Sequence, residues 1–152
     1  MSVRMELARI LIRELNDYQI IELREVSVGK DESTGETTIS QVENGRSFPI
    51  VIGLPEAQAI ERRLKNVIPP RPQTHDLLMS CIEQLGGSLE SISIHDLKDH
   101  TFFALLQVRD SSGKLHKIDA RPSDAIALGI ASNVPIFVEE RVLDNAERED
   151  PT

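Results

Sequence analysis

The chain has 152 residues, 39% of them hydrophobic and 3% aromatic, which predicts one domain with an aliphatic core. No stretch approaches the roughly 18 uncharged apolar residues of a membrane span, and residues 1–6 do not resemble a signal peptide. The single cysteine, Cys81, excludes an internal disulfide and a cysteine-based zinc site. We therefore expect a cytoplasmic protein with no membrane partner. The net charge of −8 argues against tight non-specific binding of nucleic acid, although a local basic groove stays compatible with it.

The first 53 residues are predicted to be mostly strand. Polar residues 29–37 are typical of an exposed hairpin tip, and Asn44-Gly45 is a hairpin signal. The first strand should carry a bulge near Ala8, where its alternation slips. Strands are predicted at residues 3–12, 18–23, 38–42 and 47–53.

The rest of the chain mixes helices and strands. Three prolines between residues 69 and 72 favour an extended path. Thr74 is predicted to cap a helix whose apolar stripe contains Cys81 as a small core residue, and Gly86-Gly87 should stop it. Helices are predicted at residues 54–65, 74–85 and 122–131, strands at 88–94, 101–109, 114–120 and 135–138, and a turn at 96–100.

This order predicts an α+β fold with a mainly antiparallel, mixed sheet and about three helices. At residues 54–57 and 121–124 an isoleucine-containing strand meets a proline and then an acid or hydroxyl before a helix rich in Ala and Ile. This similarity suggests a pseudo-duplicated strand–helix unit. Residues 1–143 should form the domain, and the acidic residues 144–152 a mobile C-terminal tail.

Four polar residues crowd the junction between the strand at 114–120 and the helix that follows: Asp119, Arg121, Ser123 and Asp124. In a functional interpretation, the two carboxylates act as a general base or metal ligands and Arg121 binds phosphate. In the structural alternative, Asp124 caps its helix and Arg121 bridges Asp119 to another carboxylate.

A second polar group follows the proline-rich stretch and contains Arg71, Thr74, His75 and Asp76. The imidazole of His75 suits a general acid or base, and a helix N-terminus attracts phosphate. The alternative makes Thr74 a cap, Asp76 a partner of the helix dipole and His75 a surface residue. His95 and His100 have no standard zinc-ligand spacing, so we interpret their segment as a solvated turn.

Two sequence blocks carry a resemblance to a known family. They are PRPQTHDL at residues 70–77 and IDARPSDAIAL at 118–128, with IGLPEAQAI at 52–60 and DLKD at 96–99 in matching order. The chain resembles the bifunctional nuclease domain family, also called domain of unknown function 151, over residues 3–143. The resemblance implies a small α+β protein that degrades DNA and RNA and self-associates, commonly as a dimer, without assigning catalytic roles.

The chain departs from the family pattern at three places. His100 stands where family members usually have glycine, and His tolerates a positive φ better than most residues. Gly129 stands where alanine is usual, which predicts a helix weakened by about 1 kcal/mol. Residues 26–45 look like an insertion.

The resemblance favours a nuclease, a phosphodiesterase that acts on DNA and RNA with little sequence preference. His75 would be the general acid or base, and Asp76, Asp119 and Asp124 would position water or a divalent cation such as Mg²⁺. Phosphate would be bound by Arg71, Thr74, Arg121 and Ser123. The alternative is a non-enzymatic, dimeric binding or regulatory module for an anionic ligand or a protein. The nuclease hypothesis requires the helix starts at residues 74 and 122 to face one open cleft.

Overall fold

The computed structural model describes residues 1–149. In this part of the chain, eight strands and four helices confirm the predicted α+β class. The strands are β1 (Ser2–Leu11), β2 (Gln19–Lys30), β3 (Thr37–Gln41), β4 (Ser47–Ile52), β5 (Ser88–Lys98), β6 (Thr101–Arg109), β7 (Leu115–Ala120) and β8 (Ile136–Glu139). The helices are α1 (Leu54–Leu64), α2 (Thr74–Gln84), α3 (Pro122–Ser132) and α4 (Glu140–Glu149).

The strands form one sheet in the order β3-β2-β1-β8-β5-β6-β7, with β4 also paired to β2. All neighbouring strands are antiparallel except β5 and β8, which are parallel, so the sheet is mixed as predicted. The predicted bulge in β1 is confirmed by a shift of register between Leu7 and Arg9.

The prediction that Asn44-Gly45 forms a hairpin, which would join β3 and β4 as antiparallel neighbours, is wrong. Strand β3 pairs with residues 26–30 of β2, and β4 pairs with residues 19–24, both antiparallel. The two strands therefore run in the same direction. Asn44 has a positive φ of 57°, and the Gly45 N–H donates to the Val42 carbonyl, so the dipeptide makes a tight turn that does not reverse the strand.

The helix that follows β7 is the most buried helix of the fold. Its residues 125–129 are all buried against the sheet, as their nearly continuous apolar sequence predicts. Helices α1 and α3 pack on each other, and each has a proline in its first turn, Pro55 and Pro122. This contact agrees with a pseudo-duplicated unit, and the duplication itself stays a hypothesis.

Helix α2 differs from its prediction in two ways. Thr74 is the first helical residue and not the cap, because Gln73 occupies the N-cap position and its N–H donates to Asp76 Oδ2 at 2.9 Å. None of its residues is buried, and Cys81 is exposed, so the prediction of a core cysteine is wrong. Only the partly buried side chains of Met79 and Ile82 pack against the core.

Residues 144–149 of the predicted mobile tail belong to helix α4, and the mobility of this segment stays a prediction. Val142 and Leu143 are buried, and Ala146 packs against the core, so one face of this acidic helix is apolar. Residues 150–152 lie outside the described part of the chain. No helix within residues 1–149 is long and apolar enough to cross a membrane.

The turn between β5 and β6 is shorter than predicted, because β5 continues to Lys98. Asp99 and His100 both have positive φ, 50° and 64°, as a two-residue hairpin turn requires. The prediction that histidine is tolerated at this turn is confirmed.

Candidate active site

The two polar groups predicted from the sequence meet where α2 and α3 begin. His75 Nε2 lies 2.9 Å from Asp124 Oδ1, although the two residues are 49 positions apart. His75 is in the first turn of α2 and Asp124 in the first turn of α3. Both side chains are partly buried, with 17% and 26% of their surface exposed, so solvent reaches the pair without separating it.

Arg121 binds the same carboxylate from the other side. Its Nε donates to Asp124 Oδ2 at 2.9 Å and its Nη2 to Oδ1 at 3.1 Å, a bidentate geometry. Its Nη1 donates to Glu56 Oε1 at 3.1 Å, which links α3 to the first turn of α1. Although Arg121 is held at two carboxylates, its side chain is still 63% exposed.

Asp124 is held in its ionised form. Partial burial raises the pKa of Asp124, but the hydrogen bonds and positive charges of Arg121 and His75 outweigh burial, so the pKa lies below its ordinary value of 3.8. An ionised carboxylate only accepts hydrogen bonds, so His75 Nε2 carries the proton that it shares with Asp124. In the neutral imidazole, Nδ1 is then the basic nitrogen.

Asp76 faces a different partner from His75. Its Oδ1 accepts a hydrogen bond from Arg63 Nη2 at 3.0 Å, and its Oδ2 accepts the Gln73 N–H. Arg63 is only 8% exposed and also donates to the Ala59 carbonyl. Burial lowers the pKa of Arg63, and the charge of Asp76 partly offsets that effect. In this arrangement Asp76 joins α1 to the start of α2 and fixes where His75 stands.

A small cavity of about 200 Å³ opens beside the His75–Asp124 pair. Thr74, His75 and Arg121 lie in its wall, together with Gln73, Arg62 and Glu56. Arg62 Nε is buried and has no hydrogen-bond partner within residues 1–149. Two arginines, the start of α2 and a histidine therefore surround one opening, which is the chemistry that attracts a phosphate.

The other predicted site residues lie around this centre and not within it. Asp119 is exposed on β7, where it is opposite Leu105. Ser123 is buried, and it lines a second, larger cavity that Arg121 also lines. Arg71 is exposed in the proline-rich connection, outside the walls of both cavities.

The carboxylates that are available here do not form a metal-ligand set. Asp124 is occupied by His75 and Arg121, and Asp76 by Arg63 and the backbone. Among residues 1–149 no group of three or more His, Cys, Asp or Glu side chains stands close enough together to hold an ion. The sequence suggestion of a divalent cation at Asp76, Asp119 and Asp124 therefore gains no ligand geometry from these residues.

The sequence analysis missed the contribution of α1 to the site. Glu56 and Arg63 are seven residues apart, so they lie on one face of the helix, with the buried Ala59 between them. This spacing places the small residue Ala59 between two charged residues. Such a pattern indicates a helix face that packs closely on a neighbouring element and still carries charged side chains. That pattern is the local signal that would have found these residues.

Known proteins match this chain over most of its length. A family model described as the bifunctional nuclease domain matches residues 38–150. An uncharacterised protein of Mycobacterium tuberculosis (strain ATCC 25618 / H37Rv) is 44% identical over 108 residues, which is 71% of this chain and 63% of that protein. A protein named bifunctional nuclease 1 from Oryza sativa subsp. indica is 22% identical over 134 residues, which is 86% of this chain and 39% of the rice protein.

This chain therefore spans less than two thirds of the length of either relative. Strands β1 and β2 both lie before the matched residues, yet they belong to the same sheet as the rest. Because the family model covers more than half of the sequence, the chain belongs to the bifunctional nuclease domain family.

Proposed function

We propose that this protein is a nuclease that hydrolyses phosphodiester bonds in both DNA and RNA with little sequence preference. Membership of the bifunctional nuclease domain family supports this activity. The observation that carries the proposal is the 2.9 Å contact of His75 with Asp124, beside Arg121 and an open cavity. A histidine oriented by a carboxylate is a well-established general base.

His75 is the proposed base of the reaction. Its Nδ1 takes a proton from a water molecule as the water oxygen bonds to phosphorus and the P–O bond to the leaving sugar breaks. Asp124 holds the ring through Nε2 and stabilises the imidazolium that forms. The imidazolium or solvent then returns a proton to the leaving oxygen. Water as the nucleophile accounts for action on DNA, which has no 2′-hydroxyl.

Arg121 and Arg62 are the proposed phosphate ligands. Both line the small cavity, and charge on the phosphate oxygens grows as the water attacks. Arg121 is already held by Asp124 and Glu56, so little side-chain entropy is lost when it binds the substrate. Thr74 lies beside His75 in the same wall. Arg71 is exposed and lies close to His75 in the sequence. It is proposed to contact the nucleic-acid substrate at a phosphate other than the one that is cleaved.

A non-enzymatic binding module is the second candidate, and one observation favours it. Asp124, Arg121 and Glu56 form an ion-pair chain in which each charge already has a partner within the fold. Such a chain suits a brace between α1 and α3. In that case the same cavity would bind an anion without cleaving it.

Measuring cleavage and stability on the same variants separates the two candidates. For a nuclease, we expect His75→Gln to lower the cleavage rate of single-stranded DNA and RNA by about 100-fold or more, since a general base contributes roughly that much. Arg121→Gln should lower it comparably. For a brace, both variants would lower the melting temperature and leave any trace activity unchanged.

His116→Gln is the matched control, because His116 pairs with Asp110 at 2.7 Å on an exposed hairpin away from the site. It should cleave at the wild-type rate. If His75→Gln, purified in the same way, also kept the full rate, the activity would come from a contaminating nuclease and the proposal would fail.

A further inference from the structure

The larger cavity has a volume of about 550 Å³ and shares part of its wall with the proposed catalytic site. Arg121 and Glu56 line both cavities. His75 lines only the small one, and Phe102 lines only the large one. The hydrogen bond of Arg121 Nη1 to Glu56 Oε1 therefore stands at the boundary between the two spaces.

The walls of the large cavity are mainly aliphatic, and they also contain the phenyl ring of Phe102 and the imidazole ring of His100. Ile50, Ile52 and Leu97 give apolar surface. Phe102 stacks on Phe48, with ring centroids 5.5 Å apart and planes inclined by 28°, so its orientation is fixed by the core. A volume of this size with few polar groups is typical of a small-molecule site.

The polar groups of this cavity suit a flat ligand with hydrogen bonds at its edge. Glu56 accepts hydrogen bonds, and Thr101 and Ser123 carry hydroxyls. The carboxylate of Glu56 disfavours an aliphatic anion inside the cavity. A nucleobase has two apolar faces for the walls and amino or imino groups that donate to a carboxylate.

Arg121 has capacity left for a phosphate at the boundary. A guanidinium has five N–H groups, and the hydrogen bonds to Asp124 and Glu56 use three of them. Two N–H groups remain on a side chain that is 63% exposed. A nucleotide with its base in the large cavity would place its phosphate against these groups.

We propose that the large cavity binds the base of the nucleotide adjacent to the cleaved phosphodiester bond, with Arg121 on its phosphate. This inference rests on the proposed nuclease function and assigns the substrate's position within it. The apolar walls contact the faces of any base, and the amino group of adenine or the imino group of uracil can donate to Glu56, so the cavity holds purines and pyrimidines alike.

Titration of the full chain with AMP, UMP and ribose 5-phosphate tests this assignment by calorimetry. We expect AMP and UMP to bind about tenfold more tightly than ribose 5-phosphate, because a factor of this size lies within the range that stacking of one base contributes. Thr101→Trp should fill the cavity and weaken AMP and UMP by about tenfold while leaving ribose 5-phosphate unchanged. Thr37→Trp is the control, since Thr37, like Thr101, is an exposed residue at the start of a strand but lies outside the cavity.

The proposal is overturned if ribose 5-phosphate binds wild-type protein as tightly as AMP, a comparison that needs no variant. It is also overturned if folded Thr101→Trp keeps wild-type affinity for AMP. The AMP and ribose 5-phosphate titrations are separate from the test of the nuclease proposal, because they measure base-dependent affinity with ligands that contain no phosphodiester bond to cleave. Base-dependent binding in a protein that does not cleave would retain a base site in the large cavity, but it would remove the catalytic assignment and the placement of that base beside a cleaved bond.

Discussion

The carboxylate of Asp124 joins three helices through two side chains. It accepts from His75 at the start of α2 and from Arg121 before α3, and Arg121 continues to Glu56 in α1. One carboxylate therefore supports both the packing of the helices and the orientation of the proposed base. The two roles predict different measurable consequences, since packing acts on stability and orientation acts on the rate.

Replacing Asp124 by Asn should affect both quantities. We expect cleavage to fall by about 100-fold, because His75 loses the charge that stabilises its imidazolium. The pKa of Asp124 is lowered in the folded chain, so its contribution to the free energy of unfolding is fully present above the ordinary pKa of 3.8. That contribution is lost as the pH falls through the folded value. Urea unfolding of both proteins between about pH 2 and 7 measures it.

Asp110→Asn is the comparison for this prediction. The hydroxyl of Ser112 and the ring of His116 hold the pKa of Asp110 below its ordinary value. The contribution of Asp110 to the free energy of unfolding should therefore also be lost at low pH. It lies away from the site, and we expect it to cleave normally. A stability difference between wild type and Asp124→Asn that did not change with pH would contradict the proposed ionisation.

The helices and strands with a regular pattern of apolar residues could be predicted from the sequence. Which of their apolar faces are covered by another element could not. Strands β4, β6 and β7 and helices α1 and α3 lie where their patterns predict. The stripe on α2 and the acidic run of α4 were misjudged. Local sequence shows that a face is apolar, but whether another element covers it depends on the tertiary fold.

The candidate site shows the same limit. The family blocks led to His75 and Asp124, whose contact across 49 residues no local pattern contains. Arg62 comes from a helix whose charged residues resemble an ordinary solvent-exposed face, so its local sequence does not mark it. Asp119 was grouped with Arg121 by sequence proximity, yet a strand residue and a helix-start residue two positions apart need not share a site.

At Gly129, the close packing of Ile92 outweighs the higher helix propensity of alanine. An added Cβ would lie 2.2 Å from Ile92 Cδ1 and 3.0 Å from its Cγ1. Ile92 is fully buried, so we expect Gly129→Ala to destabilise the protein by about 1 kcal/mol, despite the helix propensity that alanine adds. Thermal or urea unfolding of the purified variant measures this change.

Ile92→Val removes the atom that makes the closest contact. In that background, Gly129→Ala should become neutral or stabilising, while Ile92→Val alone costs about 1 kcal/mol. An equal effect of Gly129→Ala in both backgrounds would show that the steric explanation is wrong. The family's usual alanine at this position would then need a different account.

Self-association is the property that the uncovered face of α2 suggests for the intact chain. Leu77 is 57% exposed and Leu85 85% exposed, and Leu78 and Cys81 lie on the same side of the helix. We expect a homodimer through this face, because an apolar stripe of this kind marks an interaction surface. Leu77→Asp with Leu85→Asp should give a monomer in sedimentation experiments.

Ile68→Asp is the matched control for that experiment. Ile68 is 90% exposed in the proline-rich connection, so it adds the same charge outside α2. It should leave the mass of the particle unchanged. Dimers that persist in the double variant would place the contact elsewhere on the surface.

The number of phosphates that basic side chains contact sets how strongly nucleic acid binding depends on salt, and the net charge of −8 favours few such contacts. Three arginines, Arg62, Arg71 and Arg121, are proposed to meet phosphates, whereas the rest of the surface repels a polyanion. For single strands the logarithm of the binding constant falls with the logarithm of salt concentration by about 0.7 per phosphate contact, so we expect a slope near −2. Fluorescence anisotropy with a labelled oligonucleotide on the inactive His75→Gln protein measures it.

Arg71→Gln should make that slope shallower by about 0.7 and weaken binding evenly across sequences, as the loss of one phosphate contact predicts. Lys30→Gln, at the far end of β2, removes one positive charge from an exposed position outside both cavities and should leave the slope unchanged. A slope steeper than about −4 would require a basic surface larger than the three arginines form. An acidic protein that contacts so few phosphates should gain its affinity mainly from the two cavities at the site, which is where the chemistry is proposed to occur.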